Sequence, residues 1–437
     1  MRVRMDWRQR SVIWLLGVIG VGCLPGVAQA ESEVDILLNK LVEKGVLSNV
    51  EAGQIRREIG ETKEDRNKQI AKEIVPDSSR NWKWGGDIRL REEYRNRTGT
   101  GQDINRQRIR FRYGFDAKVS DDVRVGARLA TGSTSDPVST NQTFDTAFNH
   151  KTILLDRAFV DYSPPFSGLD RLTLTGGIIE NPFWLVGPLV WDDDLNFDGA
   201  AVKLEKNLGS VATLFTNDGM FLLESGITEA PSLWSLQAGV IVKPFSNAED
   251  EMLKNFKMTG ALSYHDYKNL DNPASEQPNG GSVGTGSTIR TLAGGAKGNT
   301  TGTKDFNLFN PTFELSSQYA DVPFGLFGDW VHNTAVATGD DGFQIGVKLG
   351  KARIPFDLLK GWEGGYFFER LAPDATFGPF TDSDFGNGGT NHRGHVWWMK
   401  FATMKNSVVQ LKYFNIQELK GSKSHADTFQ ADWVTKF

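Results

Sequence analysis

Beyond residue 80 the chain alternates apolar and polar residues with a period of two. The clearest run covers residues 106–119, where every second residue is charged or glycine and the apolar positions are Ile109, Phe111, Tyr113, Phe115, Ala117 and Val119. Residues 123–129 repeat the pattern after a turn at residues 120–122. A strand of about 12 residues with this alternation indicates a barrel wall with one face on lipid and one on a polar lumen, because strands of soluble proteins are usually shorter.

Similar segments recur to the end of the chain. We predict strands over residues 82–95, 106–119, 123–131, 152–162, 171–179, 198–206, 210–217, 233–243, 257–267, 308–319, 322–333, 342–349, 362–371, 393–403, 407–417 and 427–437. The connections tend to alternate between tight turns and long polar loops, the longest being a Gly-, Ser-, Thr- and Asn-rich loop at 268–307. This rhythm predicts an all-β transmembrane fold, an up-and-down antiparallel outer-membrane β-barrel of about 16 strands.

Residues 31–76 follow a different period. Apolar residues fall at helical spacing at Val34, Leu37, Leu38, Leu41 and Val42. Gly45 could end that helix, and Ser48 with Glu51 forms a capping-box pattern for a second one. We predict a short N-terminal α-helical segment, either an amphipathic hairpin or a short coiled coil that joins protomers.

The first 30 residues read as a secretory signal peptide. Four arginines at positions 2–10 precede an apolar stretch at 12–24 that is too short to span a bilayer comfortably, and Ala28-Gln29-Ala30 is a cleavage pattern. An uncleaved anchor and a lipoprotein signal at Cys23 are weaker interpretations. The expected organisation is a signal peptide at 1–30, a periplasmic helical or coiled-coil-like region at 31–76 and a transmembrane barrel at 80–437.

Composition narrows the chemistry. The formal charge is −5, and Cys23 is the only cysteine, so a chain without the signal has no thiol or disulfide chemistry. An acidic balance argues against nucleic acid as a partner. No H-E-x-x-H motif is present, and Ser263 with His265 is the nearest approach to an enzyme pair, so we expect neither an enzyme nor a cofactor.

The last strand carries a separate signal. Phe429, Ala431, Trp433, Thr435 and Phe437 alternate up to the terminal aromatic residue. We interpret Phe429, Trp433 and Phe437 as a signal for the barrel-assembly machinery of the outer membrane.

Several segments resemble one family of bacterial channels. The opening Val34-Asp35-Ile36-Leu37-Leu38, the run Leu41–Leu47, and Asn181-Pro182-Phe183 followed by residues 190–202 are similar to the bacterial "putative porin" family. The phosphate- and polyphosphate-selective porins share a similar helical opening. The resemblance implies a passive outer-membrane channel over the whole mature chain.

The strongest candidate site is electrostatic. If the alternation holds, a pore-lining basic wall projects into the lumen from the first three strands, formed by Arg89, Arg91, Arg108, Arg110, Arg112, Arg124 and Arg128. By analogy with general porins, the third long loop would fold inward with constriction acids Glu180, Asp192, Asp193, Asp194 and Asp198. Opposed rows of charge would bias which ions pass. Alternatively, the arginines pair with lumen acids such as Asp87, Glu93 and Asp116.

Two acidic clusters could also bind Ca²⁺, because hard cations prefer oxygen ligands. They are Asp192-Asp193-Asp194 with Asp198, and Asp382 and Asp384 with Asn387. Neither matches an EF-hand loop, and acidic loops are common on solvated surfaces, so we predict no resident metal.

The sequence therefore predicts an outer-membrane porin of a Gram-negative cell, a passive diffusion channel for small hydrophilic solutes or ions. Its partners would be outer-membrane lipid, lipopolysaccharide, the assembly machinery and, by analogy, two further copies in a homotrimer. A channel selective for phosphate-type anions and a non-conducting surface adhesin or structural barrel remain alternatives.

Overall fold

The computed structural model describes residues 33–55, 57–58, 81–98, 103–145, 147–224, 230–270, 297–300 and 305–437. The expected signal peptide lies outside these residues, as does most of the Gly- and Ser-rich segment within 268–307. None of the described helices has the length and apolar character needed to cross a membrane. The chain divides into an N-terminal unit, Met1–Trp82, and a barrel unit, Lys83–Phe437.

One antiparallel sheet makes up the barrel unit. Its first strands are β1 (Trp82–Thr98), β2 (Ile104–Lys118), β3 (Val123–Thr131), β4 (Gln142–Thr143), β5 (Ile153–Tyr162), β6 (Arg171–Glu180), β7 (Asn196–Leu208), β8 (Ala212–Leu222) and β9 (Ser232–Val242). The others are β10 (Lys257–Lys268), β11 (Asn307–Tyr319), β12 (Val322–Asn333), β13 (Asp341–Gly350), β14 (Trp362–Leu371), β15 (His392–Met404), β16 (Ser407–Glu418) and β17 (His425–Lys436).

The sheet closes on itself. Each wall strand pairs with its neighbour along the chain, and β1 pairs with both β2 and β17, which removes both open edges. Closure satisfies the backbone groups that lipid cannot. Sixteen strands form this wall, one for each predicted strand. The two-residue β4, which was not predicted, lies inside the connection between β3 and β5 and pairs with β2 at Arg108 and Ile109.

The two ends of the barrel differ in their connections. At the turn end, adjacent strands are joined mostly by short turns, for example Ala320-Asp321, where both residues have positive φ (47° and 65°). Such a pair gives the type I′ geometry that matches the twist of a two-residue hairpin. A short helix, Glu251–Lys254, occupies one longer turn. The long connections lie at the other end, the loop end.

The wall has an apolar outer face and a polar inner face. On β13 the side chains of Phe343, Ile345, Val347 and Leu349 are exposed, whereas Gln344 between them is 1% exposed. Successive residues of a strand point to opposite faces, so the barrel places the apolar set outward. This is the orientation that lipid contact requires, and it confirms the predicted alternation.

Within the described part of the chain, three long loops reach into the interior from the loop end. We call them loop A (132–152), loop B (181–195) and loop C (372–391). They share an apolar cluster with the inner faces of several strands from β6 to β14, and its members from the loops are Val138, Phe183, Leu189, Val190, Trp191, Leu195, Ala372, Ala375, Phe377 and Phe380. Aromatic rings dominate the contacts, with Trp191 5.2 Å from Phe197 and 5.2 Å from His265.

The N-terminal unit contains the predicted helices. The first covers Glu33–Glu43 and is followed by Gly45 with φ of 71°, a conformation that glycine adopts without strain. The second begins at residue 49. Its capping box is formed, because Ser48 N donates to Glu51 Oε2 at 2.8 Å and Glu51 N donates to Ser48 Oγ at 3.2 Å.

Gly346 is closely packed on the inner face of β13, so replacing it tests how tightly the barrel is packed. A Cβ on Gly346 would lie 2.4 Å from Phe327 Cζ and 2.5 Å from the Tyr366 carbonyl oxygen, whereas a Cβ on Gly260 would meet nothing nearer than 4.0 Å. We expect Gly346→Ala to lower the free energy of unfolding by about 1–3 kcal/mol, the usual cost of overpacking. Denaturant unfolding followed by tryptophan fluorescence measures it, and an equal loss in the control Gly260→Ala would contradict this explanation.

Candidate functional site in the barrel interior

Five arginines of the predicted basic wall lie on β1 and β2. Its side chains alternate with apolar residues that are exposed on the outer face, Ile88 and Leu90 on β1 for example, whereas Arg91 is only 2% exposed. The two strands therefore present their arginines together on the inner face. Each part of this wall binds a different loop.

Loop C is held by Arg91. Arg91 Nη1 lies 2.8 Å from Asp384 Oδ1 of the loop, and Arg91 Nε lies 2.7 Å from Asp432 Oδ1 on β17. Four residues further along β1, Arg95 Nη1 donates to Asn387 Oδ1 at 3.0 Å. Burial opposes ionisation of Asp384, but the charges of Arg91 and Lys412 outweigh it and hold the pKa of Asp384 below its usual value.

Loop B is held by Arg110 and Arg112. Both guanidinium groups share the Asp87 carboxylate, at 2.6 Å and 2.7 Å, and both approach Asp194 Oδ1 of loop B, at 3.8 Å and 3.4 Å. Burial opposes ionisation of Asp194 too, but Arg110, Arg89 and Arg112 hold its pKa below the usual value. Asp194 is therefore an ionised anchor for loop B.

Loop A is held by Arg89 and Arg108. Arg89 Nη2 donates to Asn141 Oδ1 at 2.6 Å, and Arg108 Nη2 donates to Ser139 Oγ at 3.5 Å. Thr140 of the same loop donates through its hydroxyl to Asp194 Oδ2 at 2.8 Å, which ties loop A to loop B.

Loops B and C are joined through Asp192. Asp192 N donates to the Phe380 carbonyl oxygen at 2.8 Å, and Asp192 Oδ2 accepts from Ser383 N at 2.7 Å. Burial and the charge on Asp382 raise the pKa of Asp192 well above its usual value. Burial and the charge on Asp384 raise the pKa of Asp382 to about 7. At this junction, burial and nearby negative charge therefore disfavour the ionised forms of both Asp192 and Asp382.

These contacts differ from the expected arrangement of two opposed rows of charge. Arg91 contacts Asp384 and Arg112 contacts Asp194 directly, so no open gap separates the basic wall from the loop acids at these points. The physical reason is the cost of a buried guanidinium group without a carboxylate partner, which is several kcal/mol. The alternative pairing with lumen acids is also present, at Asp87 for Arg110 and Arg112 and at Glu93 for Arg106.

Arg124 and Arg128 lie elsewhere, in a cavity. The cavity has a volume of about 520 Å³ and is bounded by the inner faces of strands β1 to β3 and β5 to β7. Its basic side chains are Lys83, Arg124, Arg128, Arg157, Arg171 and Lys203, and its acidic ones are Asp116, Asp161 and Glu180. Arg124 is paired with Asp161 and lies 5.2 Å from the Phe159 ring centroid.

Four of these basic residues were missed in the sequence: Lys83 on β1, and Arg157, Arg171 and Lys203 on later strands. Arg157, Arg171 and Lys203 lie on β5, β6 and β7, outside the three strands to which the basic wall was assigned. Applying the alternation to every strand finds Arg171 and Lys203. Arg157 is harder, because the ladder between β3 and β5 slips by one residue at Asp156.

The other predicted acids are dispersed. Glu180 ends β6 and pairs with Arg157 at 3.0 Å, whereas Asp193 is exposed on loop B. Asp198 lies within β7, exposed and on the opposite strand face from buried Phe197. Glu180 and Asp198 therefore lie outside loop B, and Asp193 lies within it. On β17, Phe429 is exposed on the outer face, and Trp433 and Phe437 follow at the turn end.

The proposed calcium ligands and enzyme pair have other partners. Asp192 and Asp384 use their oxygens on Ser383 N and the Arg91 guanidinium group. His265 Nδ1 lies 2.9 Å from Ser235 Oγ, while Ser263 accepts a hydrogen bond from Gln237. Asp192 and Asp384 therefore anchor loops B and C, and Ser263 and His265 of β10 are each bonded to other residues.

A closed sixteen-stranded barrel with an apolar outer face, a polar inner face and inward loops defines an outer-membrane channel of the porin type. The sequence matches the family described as "Putative porin" over residues 92–330 and 308–437, and the chain belongs to that family. The family and the fold are those of non-enzymatic channels. No curated protein matches the chain significantly.

Three solved structures are similar to this chain, and the likeness to the first supports the fold. OprB of Pseudomonas putida matches with a TM-score of 0.53 and 11% identity, covering 82% of this chain and 95% of its own. OmpF of Salmonella typhi covers 82% and 97% with a TM-score of 0.46 and 11% identity. The channel DcaP of Acinetobacter baumannii covers 82% and 97% with a TM-score of 0.43 and 13% identity. At 11% identity, the likeness to OprB concerns the fold alone.

The ion pair of Arg91 can be tested through loop C. Asp384→Asn leaves the shape of the loop intact but removes the charge that faces Arg91, and breaking a buried pair costs about 3–5 kcal/mol. We expect faster hydrogen exchange and protease cleavage in residues 372–391. Asp193→Asn is the matched control, because Asp193 is exposed on loop B. Equal protection in Asp384→Asn and the wild type would contradict the anchoring role.

The junction of loops B and C should depend on pH. Since the pKa of Asp382 is raised to about 7, the docked state favours the protonated carboxyl, and its stability falls as pH rises from about 4 through 7. We expect protection of the Asp192 amide, corrected for intrinsic exchange, to decrease over that range. Asp382→Asn should flatten the dependence, and an unchanged slope in that variant would exclude Asp382 as its source.

Proposed function

We propose that this outer-membrane channel conducts small hydrophilic solutes passively along a path that runs past the cavity of Arg124 and Arg128, with a preference for anions. The observation that carries the proposal is the division of the interior. Loops A, B and C are packed against Arg89, Arg91 and their neighbours on one side and share an apolar cluster on the other. The basic cavity is left as open polar space.

The cavity chemistry supports an anion preference. Its lining has more basic than acidic side chains, and several of the basic groups keep part of their surface free for solvent, with the Arg124 side chain 54% exposed. A hydrated lumen lowers the barrier to a solute, and fixed lumen charge changes the local ion concentration. Arg89, Arg91, Arg108, Arg110 and Arg112 act in this account as anchors that keep the loops in place.

The proposed orientation in the membrane follows from the two ends of the barrel. β1 begins and β17 ends at the turn end. With short turns in the periplasm and long loops outside, as in bacterial barrels generally, the helical region is periplasmic and residues 1–30 are its removed signal peptide. Lipid and lipopolysaccharide would contact the apolar outer face.

Assembly is proposed on similar grounds. Phe429, Trp433 and Phe437 follow one face of the last strand and offer the assembly machinery an aromatic pattern. A homotrimer would be consistent with the porin class, and the amphipathic helix Glu33–Glu43 could join its protomers.

Two alternatives have observations in their favour. The basic cavity supports a channel selective for phosphate-type anions. The apolar cluster shared by the three loops supports a plugged barrel with an adhesive or structural function, because it fills part of the interior. Conductance separates the plugged barrel from both channel proposals.

Planar-bilayer recordings in a salt gradient test the channel. We expect conducting steps and a reversal potential on the anion side, and we expect Arg124→Gln with Arg128→Gln to lower the anion-to-cation permeability ratio at least about twofold at low salt, where charge is least screened. Lys118→Gln, which removes an exposed charge at the turn end, is the control. A folded, inserted protein without conductance would discard the proposal.

A further inference from the structure

One connection at the turn end exposes a cluster of apolar side chains. Residues 351–361 join β13 to β14, and within them Ile354, Phe356, Leu358 and Leu359 are 46%, 77%, 89% and 49% exposed. Exposed apolar residues that occur singly need no explanation, whereas several within a few residues mark a contact surface. We call residues 351–361 the apolar turn.

The apolar turn is closed by its own hydrogen bonds. Arg353 N donates to the Lys360 carbonyl oxygen at 2.7 Å, and Gly361 N donates to the Asp357 carbonyl oxygen at 2.9 Å. The Asp357 carboxylate accepts from the amides of Lys360 and Leu359, both at 2.8 Å, and these bonds hold the pKa of Asp357 below its usual value. Asp357 is the only acidic residue of the turn, and its charge is therefore directed at the backbone rather than at the exposed apolar side chains.

Phe356 occupies a costly position at the tip of the turn. Its φ is 60°, a left-handed conformation that bulky residues rarely adopt. Glycine or asparagine would adopt it with less strain. Strained residues persist where the surrounding structure or a function maintains them, and here the strained residue carries an exposed aromatic ring.

The apolar turn continues the lipid-facing surface of the barrel. Trp362, the first residue of β14, donates from Nε1 to the Leu358 carbonyl oxygen at 2.9 Å. The ladder places Trp362 opposite Phe401, which is exposed on the outer face of β15. On the other side of the turn, β13 ends beside Leu349, which is exposed on the same outer face. The turn is therefore tied to the apolar outer face at the point where that face ends.

Basic side chains flank the apolar ones. Lys351 and Arg353 are exposed at the start of the turn, and Lys360 near its end pairs with Asp321 of the neighbouring turn at 2.8 Å. Segments that lie in a membrane interface combine apolar side chains, which enter the acyl region, with basic groups that stay among the lipid headgroups. A symmetric contact between two copies of the turn would instead bring these like charges together.

We propose that the apolar turn inserts Phe356 and Leu358 into the lipid leaflet at the turn end and anchors that end of the barrel at the membrane interface. Lys351 and Arg353 would contact the phosphate groups of the same lipids. With the orientation proposed above, this is the periplasmic leaflet. The anchor requires that the barrel lies in a membrane, but it does not depend on conduction.

A fluorescent label at the tip of the turn tests the insertion. Cys23 is the only native cysteine and lies in the proposed signal peptide, so Phe356→Cys supplies the single thiol of the processed chain. The thiol is labelled with an environment-sensitive nitrobenzoxadiazole dye, and the barrel is refolded into phosphatidylcholine vesicles containing a lipid with a nitroxide on its upper acyl chain. We expect blue-shifted emission that falls by about half with the nitroxide lipid, because interfacial segments bury their apolar face about 5–10 Å into the leaflet.

Lys405→Cys is the matched control, because Lys405 is exposed in the tight turn between β15 and β16 at the same end of the barrel. Its label should emit as in water and be quenched by aqueous iodide. Leu358→Cys should repeat the result of Phe356→Cys, which guards against an effect of replacing the strained residue.

The outcomes separate the anchor from the channel. Equal lipid quenching at Phe356→Cys and Lys405→Cys, or iodide quenching at both, would reject the insertion. A blue shift without lipid quenching would assign the turn to a contact between copies and would also reject it. A folded, inserted barrel that shows the lipid quenching but does not conduct would reject the channel proposal and leave the anchor established.

Discussion

The interior of this barrel depends on ion pairs between one basic wall and the loops that fold onto it. Arg91 is the clearest case, because it is almost fully buried and its charge is compensated by Asp384 from loop C and Asp432 from β17. A guanidinium group buried without such partners would cost several kcal/mol. The closed sheet therefore requires loop acids on its inner face, and their docking places the loops.

The docked loops also determine where the polar and apolar parts of the interior lie. Loops A, B and C turn their apolar side chains away from β1 and β2, and Trp191 with Phe377 packs on the inner faces of the strands opposite. Polar and apolar halves then separate within one lumen. The basic cavity at Arg124 and Arg128 is the polar space that neither half fills, and this is why the proposed path and its anion preference are placed there.

The strands could be predicted because period-two alternation is a local property, and all sixteen wall strands were recognised from it. Folding of loop B into the interior was predicted by analogy, and Asp194 does reach Arg110 and Arg112. The contact of Asp384 with Arg91 could not be predicted, because it joins residues 293 positions apart. Arg157 was missed because the irregular ladder turns both Asp156 and Arg157 inward, which strict alternation does not allow.

Thiol modification of the conducting channel tests most directly whether the path passes the cavity. Cys23 is the only cysteine and lies in the proposed signal peptide, so Lys203→Cys supplies the single thiol of the processed chain. We expect a negatively charged methanethiosulfonate to react there and lower the anion current, and a positively charged one to restore anion preference. Lys206→Cys should leave the current unchanged, since Lys206 is opposite the exposed Leu214 on the outer face of the same strand. Conducting channels in which Lys203→Cys ignores both reagents would contradict the account.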